Sequence, residues 1–138
     1  MRLWHKDLIS VLPRQQLLSQ WRECCCIARN ISVNGTPNHI LVNKILDYPI
    51  EHFITYSRII YREMLKRGYK ANWSKFQQYS ENRITLTTYE SIFKNWHNDQ
   101  YFIQCFYNLQ EKHDCGGISE NEWALILKHC IALHKYKI

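Results

Sequence analysis

The residues best suited to chemistry fall in one octet, Gln16-Leu-Leu-Ser-Gln-Trp-Arg-Glu23. A carboxylate such as Glu23 can move a proton or face a developing cation. The nucleophile that would complete such a pair is the chain's own α-amine. Its reference pKa is about 7.7–8.0, against about 10.4 for lysine, so it is partly neutral at physiological pH and can attack an electrophile. Composition does not bring Met1 and Glu23 together, and a solvated helix face is the competing reading of Arg22 and Glu23.

Other constellations carry less. No Gly-rich phosphate loop, Gly-x-Ser-x-Gly elbow, Cys-x-x-Cys or His-Glu-x-x-His is present. His113 and Cys115 with Cys130 and His134 have ligand-like spacing for zinc, yet Cys130 fits equally in a core and His113 sits beside a turn. Trp96, Tyr101, Phe102 and Tyr107 could stack on bases, but at helical spacing they read first as core. Arg58, Arg62, Lys66, Arg67 and Lys70 could follow a phosphate backbone or form a solvated face, and both readings stand.

These residues need elements to hold them. Pro13 marks a helix start, and Leu17, Leu18, Trp21, Cys24, Cys25 and Ala28 recur at spacings that make one apolar stripe. The helix is expected to end near Ile31, burying Trp21 and turning Arg22 and Glu23 outward. Residues 1–12 should lie against it, with Asp7 or Ser10 capping a short turn. The stretch His39 to Asp47 reads either as a short helix or as extended chain. Ile50 to Lys66 predicts a second helix ending at Gly68. Asn72 to Tyr79 predicts a short capped helix, and Ser80 to Thr88 a loop. Tyr89 to Gln110 reads as one helix kinked near Asn98 and Asp99. A capping box, Ser119 with Glu122, opens a last helix from Glu120 to about His134.

The chain has 138 residues, 46% of them hydrophobic, enough for one core. The expectation is therefore an all-α, single compact domain over 1–138, built on three to four main helices. A net charge of +6 favours a polyanionic partner. No apolar run reaches the roughly 18 residues of a membrane span, and the start lacks the apolar region of a signal peptide. Six cysteines include the run Cys24-Cys25-Cys26, whose side chains point about 100° apart on a helix. They read as reduced thiols of a cytoplasmic protein, with Cys24 and Cys25 in the core.

Leu8-Ile-Ser-Val-Leu12 followed by Gln16 through Glu23, with Trp21-Arg22-Glu23 at a set distance from the start, resembles the N-terminal block of a known family. That family is the endonuclease V type of pyrimidine-dimer DNA glycosylase. Met64-Leu-Lys-Arg-Gly-Tyr69 resembles the end of its second helix. Met1-Arg-Leu-Trp4, Thr36-Pro-Asn-His-Ile-Leu41 and the motifs from Trp96-His-Asn-Asp99 to Asp114-Cys-Gly-Gly117 are similar to a bacterial branch of it. The resemblance implies a compact helical fold and two coupled reactions. The α-amine attacks C1′ of a damaged nucleotide and displaces the base, and the resulting imine promotes β-elimination at the abasic site. It implies an essential role for the glutamate at Glu23, a DNA contact for Arg22, and no metal or organic cofactor.

The sequence departs from that pattern at three places. Arg2 follows Met1, so the initiator is expected to stay and the amine to belong to Met1. Cys26 and Gln16 stand where the family has an arginine and a histidine. The expected catalytic residues are Met1, Arg22 and Glu23, and the expected nucleic-acid contacts are Arg2, Lys6, Arg22, Arg29, Arg58 and Arg62. The expected partner is double-stranded damaged DNA, with no membrane association and a monomeric protein. The alternative is a non-catalytic module binding duplex or modified nucleic acid on the same fold. A third reading is an enzyme using the same amine on another modified base or on RNA.

Overall fold

A computed structural model describes residues 1–79 and 86–133 of the chain. The described residues are all-α, as expected, with five α-helices and three short 3-10 turns. Helix α1 spans Arg14–Asn34, three residues past its expected end, and stops where Gly35 adopts φ 74° and donates its N–H to the Ile31 carbonyl at 2.9 Å. Its buried residues are Leu17, Gln20, Trp21, Cys24, Ile27 and Ala28, whereas Leu18 and Cys25 are half-buried. The buried stripe is thus rotated from the expected one toward Gln20 and Ile27. The cause is the N-terminal segment: Leu3, Trp4 and His5 are buried on that side.

That segment is more deeply embedded than expected. Its 3-10 turn, Lys6–Val11, packs on two later helices and is capped by His5, whose Nδ1 accepts the Asp7 N–H at 3.0 Å. The expected caps Asp7 and Ser10 do not serve there. Arg67 clasps the turn's far end, donating to the carbonyls of Leu12 (2.7 Å) and Ser10 (3.2 Å) while pairing with Glu63 at 2.8 Å. Arg67 is therefore a structural cation.

Residues 39–47 resolve into a 3-10 turn, Asn43–Asp47. Helix α2, Ile50–Lys66, has the expected bounds and buries Phe53, Ile54, Tyr56, Ser57, Ile60 and Met64. It closes in a Schellman arrangement, with Gly68 at φ 80° and the Tyr69 N–H donating to the Met64 carbonyl at 2.9 Å. Helix α3, Trp73–Gln77, is capped by the Asn72 side chain, and its rings of Trp73 and Phe76 stack on Trp21 of α1. The loop expected over 80–88 falls partly on residues 80–85, outside the described residues.

The single kinked helix expected from Tyr89 to Gln110 is not formed. A 3-10 turn, Tyr89–Ser91, is followed by turns in which Phe93 takes φ 47°, and α4 begins only at Asp99–Asp114. The Asn98 side chain stops any upstream continuation by accepting the Tyr101 N–H at 2.8 Å, a cap that starts a new helix. Residues 92–97 instead drive Ile92, Phe93, Trp96 and His97 into the core. Helix α5, Glu120–Ala132, opens with the expected capping box. Glu122 of that box also accepts the Arg14 N–H at 2.8 Å, supplying α1 with the N-terminal partner that Pro13 cannot.

Candidate active site

Gln20 is the fully buried amide around which the site is built. Its Oε1 accepts the Trp4 N–H at 2.8 Å, and its Nε2 donates to the Arg2 carbonyl at 3.0 Å. The same nitrogen lies 3.1 Å from Glu23 Oε2, to which it donates its second proton. The Tyr56 hydroxyl sits 2.6 Å from the Trp4 carbonyl and 3.0 Å from Gln20 Oε1. Tyr101 of α4 donates to the Leu3 carbonyl at 2.6 Å. Backbone groups from Arg2 to Trp4 are thereby fixed by three side chains from α1, α2 and α4. A buried polar group left without partners is costly, so this network sets the path of the N-terminus rather than decorating it.

Glu23 is half-buried at the edge of the same network. Burial raises its pKa, and the positive charges of the N-terminal ammonium and Arg22 oppose that rise. The charge of the amine is therefore felt at the carboxylate. Met1, Arg2, Trp4, Gln16, Ser19 and Glu23 line one cleft of about 330 Å³, with Asn108 and Lys112 of α4 on its other wall. Met1 is exposed at its mouth.

Arg22 lines a neighbouring groove of about 520 Å³ with Trp21, Cys25, Lys70 and Lys75, and its guanidinium donates to Ser19 Oγ of the cleft lining at 3.2 Å. Met1 and Glu23 thus line one cleft, and Arg22, Lys70 and Lys75 the groove next to it. Arg58 reaches this neighbourhood with its guanidinium 5.4 Å over the Trp73 ring, and Arg29 and Arg62 are exposed. Arg2 stays in the cleft, its guanidinium 5.5 Å from the Trp4 ring centroid. Lys6 is a correction to the expected nucleic-acid contacts. It is buried, and its ammonium donates to the carbonyls of Tyr89 (2.6 Å), Ile92 (3.2 Å) and Glu90 (3.3 Å). A lysine so engaged cannot reach a phosphate.

The described members of the zinc-like set, His113, Cys115 and Cys130, form no metal-holding group. Cys130 is buried with its thiol pKa pushed up to about 11, Cys115 is exposed, and His113 stacks on Trp123 while bonding Glu120 at 2.8 Å. His134 lies outside the described residues, and no metal-holding cluster occurs among the described ones. The aromatic stretch is mainly core, since Trp96 and Phe102 are buried, Tyr101 is half-buried and only Tyr107 is exposed. A cavity of about 280 Å³ between α1, α2 and α3 has no carboxylate, histidine or cation in its lining.

Sequence reasoning passed over Gln20, Asn108 and Lys112. Gln20 had a signal: Gln16, Gln20 and Glu23 are spaced four and three apart, a polar line running beside the apolar stripe. Asn108 and Lys112 had none, because only the packing of α4 brings them to the cleft.

The fold is all-α among the described residues, and one cleft is lined by both Met1 and Glu23 beside a groove lined by Arg22, Lys70 and Lys75. Residues 1–77 match the family model described as pyrimidine dimer DNA glycosylase. The match covers more than half of the chain, and the protein belongs to that family. No curated protein and no solved structure matches the chain. Among the described residues no helix is long and apolar enough to cross a membrane.

Proposed function

We propose that the protein is a DNA glycosylase with AP-lyase activity that acts on a damaged pyrimidine in duplex DNA. The observation that carries this reading is the Gln20 amide, which bonds Glu23 and the backbone of Arg2 from one nitrogen. It couples the carboxylate to the segment that bears the amine.

In the proposed reaction the Met1 nitrogen forms a bond to C1′ as the glycosidic bond breaks. The electron pair of that bond leaves with the base, which takes up a proton. The nitrogen then loses a proton, the sugar ring opens, and a protonated imine forms. Glu23 faces this cation and carries the protons exchanged at the nitrogen and at the ring oxygen. Loss of a C2′ proton expels the 3′ phosphate by cleavage of the C3′–O bond, and water frees the amine. Arg22 and the cations of its groove hold flanking phosphates, and extrusion of a nucleotide gives access to C1′.

Sodium borohydride tests the covalent step. The expected result is a trapped adduct with duplexes carrying a pyrimidine dimer or an abasic site, and mass spectrometry assigning the linkage to Met1. Absence of any adduct from folded protein across several lesions overturns the reading. Salt-sensitive DNA binding that persists after N-terminal acetylation, with no adduct before it, would mark a binding module instead.

A further inference from the structure

The turn after α1 carries two apolar side chains that the fold leaves uncovered. Ile40 is 85% exposed and Leu41 52%, although Pro37, Val42 and Ile45 on either side of them are buried. The turn is tied to itself. Thr36 Oγ1 accepts the Asn38 N–H at 3.1 Å, Asn43 Oδ1 accepts the His39 N–H at 3.1 Å, and His39 Nδ1 accepts the Leu41 N–H at 3.2 Å. Asn38 makes the left-handed corner at φ 58°, and Asn30 of α1 donates to the Pro37 carbonyl at 3.3 Å. The backbone therefore holds residues 40 and 41 out in one arrangement. Leu41 lines the cleft of Met1 and Glu23, whose lining also carries the cations Arg2 and Lys112.

We infer that Ile40 and Leu41 form a wedge that enters the base stack of the duplex at the lesion and fills the space opened when a nucleotide is extruded. Single exposed apolar residues are ordinary on a protein surface, but an adjacent pair on a tied turn beside a cleft holding both reacting groups has no packing role. Extrusion leaves a gap whose flanking bases have lost their apolar contacts. A leucine or isoleucine restores those contacts and keeps the step open, while neighbouring cations hold the phosphates. The polar lining of the cleft, Gln15, Gln16, Ser19 and Asn108, cannot do this without giving up hydrogen bonds between stacked bases. A turn already fixed by its own hydrogen bonds also loses little freedom on insertion. The wedge needs a gap in the stack and acts whichever strand the nucleotide leaves.

This inference rests on the glycosylase reading, and its test separates the two. The variants are Ile40→Ser combined with Leu41→Ser, and the conservative Ile40→Leu; both positions are exposed, and urea midpoints check that the fold is kept. Dimer-containing duplexes carry 2-aminopurine opposite the lesion or beside it, since this base brightens when it is unstacked. With the duplex fully bound by gel shift, native protein and Ile40→Leu should raise the fluorescence in at least one placement, and the double variant should lose most of that rise. Single-turnover cleavage is then compared on the paired duplex and on one mismatched opposite the dimer, where the stack is already open. The double variant should be about tenfold or more slower on the paired duplex, the size of one aliphatic side chain left unburied, with little change on the mismatched one. Native protein that binds without a fluorescence rise, a full rise in the double variant, or equal slowing on both duplexes would each overturn the wedge. Native protein that raises the fluorescence but cuts neither duplex would overturn the glycosylase reading and leave the wedge standing.

Discussion

Gln20 and Glu23 occupy one side of α1, and a single amide nitrogen joins them to the N-terminal backbone. Two predictions follow from that geometry. Gln20→Leu leaves the buried Trp4 N–H unpaired and should destabilise the fold by about 1–3 kcal/mol, read from urea unfolding. Gln20→Glu keeps the acceptor for Trp4 but replaces the donor to Glu23 with a negative charge. It should raise the Glu23 pKa further and move the acid limb of the cleavage profile to higher pH. Arg22→Gln should move that limb in the same direction, because the Arg22 charge is one of two that oppose the effect of burial. An acid limb that stays in place in both variants would remove Glu23 from the titrating role. Glu23→Gln should retain DNA binding and lose strand cleavage, as seen by comparing gel-shift and nicking assays.

The helices are positioned largely by their ends. Helix α4 exists as a separate element because Asn98 accepts the Tyr101 N–H, and that cap points Tyr101 at Leu3 and sets Asn108 two turns further along. Asn98→Ala should cost about 1 kcal/mol, seen as a lower urea midpoint with an unchanged slope. Ser119→Ala breaks one half of the α5 capping box, and a similar loss is expected. Glu122→Gln is the more telling change. It keeps a side chain that can bond Ser119 and Arg14 but removes the negative charge at the positive end of α1. Its cost should shrink in high salt, unlike that of Asn98→Ala.

At the scale of the whole molecule, the core closes over an uncharged histidine. His97 is 5% exposed, its ring stacks on His5 at 5.0 Å, and its Nδ1 accepts the Lys6 N–H at 3.0 Å. Burial first, then the His5 and Lys6 charges, lower its pKa to about 2. The unfolded chain takes up this proton near its ordinary value of about 6.5. The folded chain does not until about pH 2. His97 therefore contributes full stability above about pH 6.5, and that contribution falls steadily as the pH drops toward 2. Urea midpoints measured from pH 7.5 downward should decline. His97→Gln, whose amide oxygen can still accept the Lys6 N–H, should flatten the decline between pH 6.5 and 4. An equal slope in both proteins would assign the acid sensitivity to other groups.

The sequence by itself determined the fold class, the bounds of α2, the α5 capping box and the octet ending in Glu23, because periodicity, caps and turn residues act over a few neighbouring residues. It also carried the family resemblance, which residues 1–77 bear out. Three matters were decided only by tertiary structure. Lys6 looked like a surface cation until the 89–92 carbonyls closed around it. Residues 89–110 looked like one helix, since aromatic spacing does not reveal that Phe93 and His97 will be needed in the core. Glu23 looked solvent-facing until the N-terminal segment packed beside α1 and Asn108 and Lys112 arrived from α4 to close the cleft. In the first two cases the deciding contact joins residues more than 80 positions apart in the chain, and in the third the N-terminal segment is held both by Gln20, 16 and 18 positions away, and by Tyr101, 98 positions away, beyond the reach of a helical pattern.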